Sequence, residues 1–241
     1  MRTNIRASYT KFSESSGPIL KVMARIQAEA PAAMRDKDLS KQHHAMQHGS
    51  VVLLSGFLES FLRSVCEVFF LELHGRGVGF KELKKYYLDI HLREGAAHLA
   101  DLVKRESKKK TSALSDSSAF ARRLGAPFSD ESKAPVWEAF ARTKGNPSSS
   151  VVKSVLSTLG VNGGFDSLSE AIGKKYSPTV MIQFLDTLIE LRNESAHTGS
   201  TSSVPPPSYV IDTVQYCRYL TLAICRLVDR RLTELLHEFN K

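Results

Sequence analysis

The chain has 241 residues, of which 42% are hydrophobic and 24% are charged, and its formal net charge is +8. These values are ordinary for a globular protein with one large domain or two small ones, and the absence of any apolar run near 18 residues excludes a membrane-spanning helix. The excess of cations favours a polyanionic partner, without distinguishing RNA from DNA or an anionic membrane surface.

Three cysteines, Cys66, Cys217 and Cys225, have no metal-ligand spacing. An odd number of cysteines without a disulfide framework is typical of a reducing compartment, so we predict free, buried thiols in a cytoplasmic protein. The first residues of the chain also lack the apolar core of a secretion signal.

Apolar residues recur at helical spacing along the first half of the chain. We predict a helical segment over residues 1–36 and the longest helix from about Leu39 to His74. The centre of this long helix, Val51–Phe70, is apolar nearly all round, which is typical of the middle of a bundle. Glycines between residues 75 and 79 end the helix in a turn.

The next helix is predicted over Lys81–Arg105 and runs into a basic cluster, which comprises Lys104, Arg105, Lys108, Lys109 and Lys110. The cluster is a candidate surface for the phosphates of RNA. The alternative is a solvated helix end, where cations are favourable beside the C-terminal carbonyl groups. A second basic pair, Lys174 and Lys175, precedes the helix that begins at Pro178, and we include it among the candidate RNA-binding residues.

Residues 111–150 are the least regular part of the chain, because prolines and Gly145 interrupt the pattern. We expect a short helix over Asp116–Leu124, and we expect Trp137 and Phe140 to attach the segment to the bundle. The apolar content never collapses, so we predict no domain boundary here.

The second half of the chain is also helical by pattern. An amphipathic helix is predicted over Ser148–Leu159, followed by a helical turn that Asp166 caps. A helix opening at Pro178 and a final helix over Tyr209–Glu238 follow. The interpretation is an all-α helical bundle in a single domain. Residues 1–36 form its N-terminal helical extension, and residues 111–150 form an irregular mid-chain insertion.

The helix that opens at Pro178 ends in Arg-Asn-Glu-Ser-Ala-His at residues 192–197. Arg192 lies four residues after Leu188 and so continues the apolar face, where an unpaired charge is costly. His197 lies about 140° further round a regular helix. One straight helix therefore cannot point both side chains at one phosphate. Either the helix ends between them, or copies from two subunits combine.

An arginine and a histidine suit the cleavage of RNA, which carries its own nucleophile in the 2′-hydroxyl group. Histidine transfers protons near neutral pH, and arginine binds phosphate oxygens and stabilises the charge on five-coordinate phosphorus. Asn193 offers hydrogen bonds to the phosphate or to His197. The chemistry needs no metal, and we find no convincing metal-ligand cluster: His44 and His48 share a helical face but are interpreted as surface residues.

Residues 192–197 resemble the R-x4-H motif of HEPN domains, in the RiboL-PSP-like branch of ribonucleases from prokaryotic conflict systems. Residues 145–160, which begin Gly-Asn-Pro-Ser, are similar to a segment upstream of that motif, and Ser55–Phe61 resembles an early helix with an inward glutamate. Together these stretches cover roughly Gln42 to the C-terminus. The chain departs from the pattern at Thr198, where many relatives have glycine, and at Gly199, where a toxin branch has tyrosine.

The resemblance implies an HEPN-like bundle that acts as a homodimeric, metal-independent endoribonuclease without a cofactor. It implies that Arg192, Asn193 and His197 are catalytic and that Glu59 faces Arg192 and orients it. The residues alone leave another possibility for Glu59, which is an i,i+4 pair with Arg63. The resemblance further implies a toxin or antiviral defence effector, with RNA as substrate and an antitoxin or defence-system protein as partner.

Two other hypotheses remain at this level. The first is a catalytically inactive HEPN module that binds RNA or a protein partner. The second is a scaffold dimer in which Arg192 forms a structural ion pair with Glu59.

Overall fold

A computed structural model describes residues 1–83, 85–108, 115–130, 133–143, 146–198 and 204–239, with the backbone alone at Lys81, Ser115, His197 and Thr198. These ranges contain eight α-helices and no strand, which confirms the all-α prediction. The helices are α1 (Thr3–Ala33), α2 (Lys37–Gly75), α3 (Lys85–Lys108), α4 (Ser115–Ser129), α5 (Ser149–Thr158), α6 (Gly164–Ala171), α7 (Pro178–Thr198) and α8 (Pro207–Phe239).

Helix α2 lies at the centre of the bundle, in contact with α1, α7 and α8. Its start is fixed by Asp36, whose side chain accepts hydrogen bonds from the backbone N–H groups of Asp38 and Leu39. Leu54, Leu58 and neighbouring apolar residues are fully buried along its middle. A helix that is apolar nearly all round can satisfy this pattern only by packing on several sides, as α2 does.

Helix α1 forms part of the core. It begins at Thr3, so the first dozen residues extend the helix. Its buried apolar residues follow one stripe that faces α2 and α8, and they are Ile5, Phe12, Ile19, Met23 and Ile26. The ring of Phe12 meets that of Phe61 on α2 edge to face, with centroids 5.9 Å apart.

Helix α8 is the second long element of the core. The hydroxyl group of its buried Tyr216 donates a hydrogen bond of 2.8 Å to the carbonyl oxygen of Met181, which joins α8 to α7. Cys217 and Cys225 on α8 and Cys66 on α2 are buried free thiols, as predicted. Burial raises the pKa of each of these thiols.

The region between α3 and α5 is more ordered than its sequence indicated. Helix α4 continues to Ser129, five residues beyond the predicted short helix. Phe140 is fully buried and its ring lies 4.1 Å from that of Phe70 between centroids, so it attaches the segment to α2 as expected. Trp137 is partly buried and packs against the same core.

The predicted cap of α6 is wrong. The helix starts at Gly164 after Gly163, whose φ of 86° is favourable for glycine, whereas Asp166 lies inside the first turn. An acidic residue there still interacts favourably with the helix dipole.

None of the helices in the described ranges combines the length and apolar character that crossing a membrane requires.

The N-terminal end of α1 is held to α8 by partly buried ion pairs from the Met1 ammonium group and from Arg2 to Asp229. Arg2 donates from its backbone N–H group and from its guanidinium to Asp229 Oδ1, at 3.0 and 2.8 Å. Burial alone would raise the pKa of Asp229, but the hydrogen bonds from Arg2 outweigh it and hold this pKa below its ordinary value. The pair therefore stabilises the fold above the unfolded pKa, and this contribution is lost as pH falls through the folded pKa.

We predict that Asp229→Asn lowers the free energy of unfolding at neutral pH by about 1 kcal/mol, because the guanidinium of Arg2 loses its anionic acceptor. The difference from wild type should shrink as the pH falls below about 4, where the wild-type carboxylate is itself protonated. Urea unfolding followed by circular dichroism at several pH values measures both effects. If the difference in unfolding free energy between Asp229→Asn and wild type were the same at acidic pH, the stabilising role of the ion pair between Arg2 and Asp229 would be contradicted.

Candidate functional site

Helix α7 is continuous through the motif. It runs from Pro178 to Thr198, so the helix does not end between Arg192 and His197. The first of the two alternatives from the sequence is therefore excluded. Position 197 lies about 140° round the axis from position 192, on a different side of the same helix. The side chain of His197 lies outside the described part of the structure.

Arg192 is partly buried at the edge of the apolar face of α7, one turn after the fully buried Leu188. Its Nη1 donates a hydrogen bond of 3.1 Å to Oδ1 of Asn193, which is also partly buried. Among the described residues the hydrogen-bond acceptor of Arg192 is this neutral amide, which does not compensate the positive charge of the guanidinium. An anion that reaches this position would supply the compensation.

Glu59 pairs with residues other than Arg192. Its Oε1 accepts hydrogen bonds from Arg63 at 2.5 Å and from Thr143 Oγ1 at 2.7 Å. The i,i+4 pair with Arg63, left open by the sequence, is thus present. The expectation that Glu59 orients Arg192 is corrected, and the ion pair of the scaffold hypothesis is replaced by these contacts.

The distance along α2 explains this correction. The part of α7 that carries the motif meets α2 at His48, where Nδ1 lies 2.9 Å from Oγ of Ser195. Glu59 is eleven residues further along α2, which is about 16 Å along a helix axis. Ser195 is only one turn from Arg192, so the motif lies beside the N-terminal half of α2.

His48 is a site residue that the sequence analysis missed. The three histidines near the start of α2 have different surroundings: His44 is exposed, His48 is partly buried against Ser195, and His43 is buried with Nε2 3.0 Å from Glu29. The interpretation of these histidines as surface residues holds only for His44. Their spacing showed which of them share a side of α2, but it carried no information on which side meets α7.

The electrostatic surroundings of His48 favour its neutral form. Burial lowers the pKa of His48, the neighbouring His44 lowers it further, and Glu194 on α7 acts in the opposite direction. The net pKa is below the ordinary value for histidine. The imidazole is therefore mainly unprotonated at neutral pH.

The segment that begins Gly-Asn-Pro-Ser connects to α7 through Asp186. Ser148 caps α5 with its side chain, and Ser149 donates from its backbone N–H group and its hydroxyl to the carboxylate of Asp186 at 3.1 and 3.0 Å. Asp186 precedes Asn193 by seven residues and position 197 by eleven, so all three lie within about 20° of one line along α7. The segment thus borders the side of α7 that carries Asn193 and position 197.

A basic cleft of about 630 Å³ opens between α2, α3 and the segment before α5. Residues of three kinds line it: the cations Arg63, Lys104, Arg105, Lys108 and Arg142, the carboxylates Asp101 and Glu138, and the less polar or neutral His98, Trp137, Ala141 and Thr143. Arg142 is already paired with Glu94 and Asp101, at 3.0 and 2.8 Å. The cleft brings together three members of the predicted basic cluster, whereas Lys109 and Lys110 lie outside the described residues.

The second basic pair is far from the motif. Lys174 and Lys175 precede Pro178, and position 197 is nineteen residues beyond Pro178, or about 28 Å along the helix. Nζ of Lys175 donates to the hydroxyl oxygen of Tyr219 at 2.6 Å and lies 3.9 Å from the centre of its ring. The structure therefore does not join this pair to the motif or to the basic cleft.

The described ranges contain no group of three or more His, Cys, Asp or Glu side chains that is arranged to hold a metal ion. The groups that do meet at the motif are a guanidinium, an amide, a serine hydroxyl and an imidazole. These are groups that bind phosphate oxygens and transfer protons.

A helical bundle that carries an R-x4-H motif near the end of a long helix is the arrangement of HEPN proteins. The chain belongs to the RiboL-PSP-HEPN family, whose model matches residues 26–234 and hence most of the chain. Comparison with curated proteins and comparison with solved structures each give no match. Membership of the family indicates an RNase-like or nucleotide-binding function.

The placement of Glu59 can be tested by double-mutant cycles. We predict that Glu59→Gln and Arg63→Gln couple by about 0.5 kcal/mol in the free energy of unfolding, because their side chains are in contact. Glu59→Gln and Arg192→Gln should couple by close to zero, since they lie on separate parts of α2 and α7. Denaturant unfolding of the single and double variants measures both values. A clearly non-zero coupling between Glu59 and Arg192 would instead support the expectation that Glu59 orients Arg192.

Proposed function

We propose that the protein is a metal-independent endoribonuclease in which Arg192, Asn193 and His197 act on a phosphodiester of RNA. The observation that carries the proposal is the guanidinium of Arg192, partly buried and paired only with the neutral amide of Asn193 among its described contacts. Family membership supports it, since the matched region includes the whole motif.

The proposed reaction uses the 2′-hydroxyl group of the RNA. A base takes its proton, the 2′-oxygen forms a bond to phosphorus, and the bond from phosphorus to the 5′-oxygen breaks as an acid protonates that oxygen. The products are a 2′,3′-cyclic phosphate and a 5′-hydroxyl end. Arg192 stabilises the charge on the equatorial oxygens, Asn193 holds the arginine in place, and His197 transfers a proton.

The continuous helix supports a homodimer as the active form. Backbone positions 192 and 197 lie about 140° apart round α7, and in our proposal two copies together bring Arg192 and His197 to a single phosphate. In the proposed dimer, Arg192 of one subunit and His197 of the other flank the same phosphodiester. A catalytic histidine in each subunit then gives two symmetry-related sites.

The basic cleft is the proposed contact for the rest of the RNA strand. It combines four cations besides Arg142, namely Arg63, Lys104, Arg105 and Lys108, with the partly buried ring of Trp137. Of these four, Arg63 also pairs with Glu59. Its Arg63 lies fifteen residues from His48 along α2, or about 22 Å. An RNA bound at both places must therefore span several nucleotides, which favours an endonuclease acting on a polymer.

A second candidate function is an inactive module that binds RNA or a protein partner. The separation of the basic cleft from the motif favours it, because RNA binding in the cleft does not require the motif. For the active form, the biological role that we propose is a toxin or antiviral defence effector, restrained by an antitoxin or defence-system partner.

We predict that the purified wild-type protein cleaves RNA in excess EDTA and leaves 2′,3′-cyclic phosphate ends. His197→Ala should lower the rate by at least about 100-fold, because a proton-transfer group is lost. Mapping of product ends by phosphatase and kinase treatment, together with gel assays of cleavage, measures both.

His237→Ala is the matched control, since His237 is exposed on the last turn of α8. Its activity should equal that of wild type. Cleavage that stops in EDTA, or that survives in His197→Ala, would contradict the mechanism. RNA binding without new ends would favour the inactive module.

We predict that Lys104→Ala combined with Lys108→Ala weakens RNA binding about equally for all RNA sequences. The plot of log association constant against log salt concentration should become less steep by about 1 to 2, because two phosphate contacts are lost. Fluorescence anisotropy at several salt concentrations measures the slope. Lys174→Ala combined with Lys175→Ala removes the same charge at a distant position and should change the slope less. Equal effects of both pairs would show that only net charge matters.

A further inference from the structure

The side of α7 that carries Arg192 faces an imidazole from another helix. Arg192 and Ser195 are three residues apart and therefore neighbours on one face of α7. Oγ of Ser195 lies 2.9 Å from Nδ1 of His48 on α2. The fold thus brings a histidine distant in sequence to the arginine side of the motif, within a single chain.

His197 is placed differently. It follows Ser195 by two residues, so its backbone position is about 200° round α7 from that of Ser195. Each chain therefore supplies one imidazole on the Arg192 side of α7 and a second histidine on the other side. Cleavage through the 2′-hydroxyl group needs two proton-transfer groups, one to remove a proton and one to supply it.

We propose that His48 is the general base of the ribonuclease reaction, held in position by Ser195, while His197 serves as the general acid. The assignment rests on the proposed function. Nε2 of His48 takes the proton of the 2′-hydroxyl group as the bond from the 2′-oxygen to phosphorus forms. The bond to the 5′-oxygen breaks, and this oxygen receives its proton from His197 of the second subunit in the proposed dimer, so protons and electron pairs balance.

The role requires the tautomer of His48 with its proton on Nδ1, and the contact with Oγ of Ser195 accommodates that tautomer. With the proton on Nδ1, the imidazole donates to Oγ of Ser195 and carries its lone pair on Nε2. Among the described residues, the charged and titratable groups that shift the pKa of this ring are His44 on α2 and Glu194 on α7. Burial and His44 lower the pKa of His48, so the neutral base form predominates near pH 7.

His43 shows how a structural histidine of the same helix differs. It is buried, with only 5% of its surface exposed, and its Nε2 lies 3.0 Å from the carboxylate of Glu29 on α1. His48 is only partly buried and contacts the motif itself. Its position suits a group that meets a substrate, because its partner Ser195 lies one turn from Arg192 on the same face of α7.

The experiment compares the pH dependence of single-turnover cleavage in wild type, His48→Gln, Ser195→Ala and His44→Gln, with a chelator present. Because the base must be unprotonated, the wild-type rate falls as pH decreases through the pKa of His48. His48→Gln should lower the rate by about 100-fold or more and lose this acidic limb. Melting temperatures of all variants confirm that they are folded.

The matched control is His44→Gln, one turn earlier on the same helix. It should keep the wild-type rate at neutral pH but move the acidic limb to higher pH, because His44 lowers the pKa of His48. Ser195→Ala, a small change on α7, should reduce the rate without abolishing it and shift the same limb. The Ser195→Ala variant therefore still tests the proposal if His48→Gln does not fold.

The outcomes separate the two proposals. If His197→Ala is inactive while His48→Gln and Ser195→Ala keep the wild-type rate and acidic limb, His48 is not the base and the ribonuclease assignment stands. A wild-type protein that leaves RNA intact overturns both. If His48→Gln loses most of the cleavage rate but keeps the acidic limb of the pH profile, His48 has a structural role and the proposal is overturned as well.

Discussion

The packing of α7 against α2 is the constraint on which the site depends. Met181, Leu185 and Leu188 are fully buried on one side of α7, which determines how the helix is rotated about its axis. Because the helix is unbroken to Thr198, this rotation also sets where each motif residue points. Arg192 and Ser195 follow the buried side towards α2, and position 197 is carried away from it. A break near the motif would have given a different arrangement.

Helix α2 serves two regions that are well separated along its length. Its N-terminal half presents His48 to the motif, and its middle presents Glu59 and Arg63 to Thr143 and the basic cleft. Glu59 thus holds the segment that leads into α5 and keeps one wall of the cleft in place. On this division we base the proposal that one chain holds an RNA strand at one place and acts on it at another.

The sequence predicted the parts of the structure that depend on local pattern. Helical periodicity located the helices within a few residues, and the apolar character of Val51–Phe70 indicated the central helix. The contacts of Glu59 show the limit. Its pair with Arg63 follows from i,i+4 spacing, but its bond to Thr143 joins residues 84 positions apart.

The same limit applies to the candidate site. The motif itself was visible as a pattern, and so was the basic cluster. The contact of His48 with Ser195 and that of Ser149 with Asp186 depend on how two helices are rotated against each other. That rotation is decided by the packing of whole faces, which no single residue encodes. At α6, the conformational freedom of Gly163 decided the helix start in preference to the side chain of Asp166.

The burial of all three native thiols has a practical consequence for the study of subunit arrangement. Cys66, Cys217 and Cys225 lie inside the core with little thiolate character, so maleimide reagents reach them poorly. A cysteine introduced at the exposed Glu190 would then carry a spin label or fluorophore selectively, without prior removal of the native residues. In the proposed dimer, distances between labels on the two copies would report how their α7 helices approach each other.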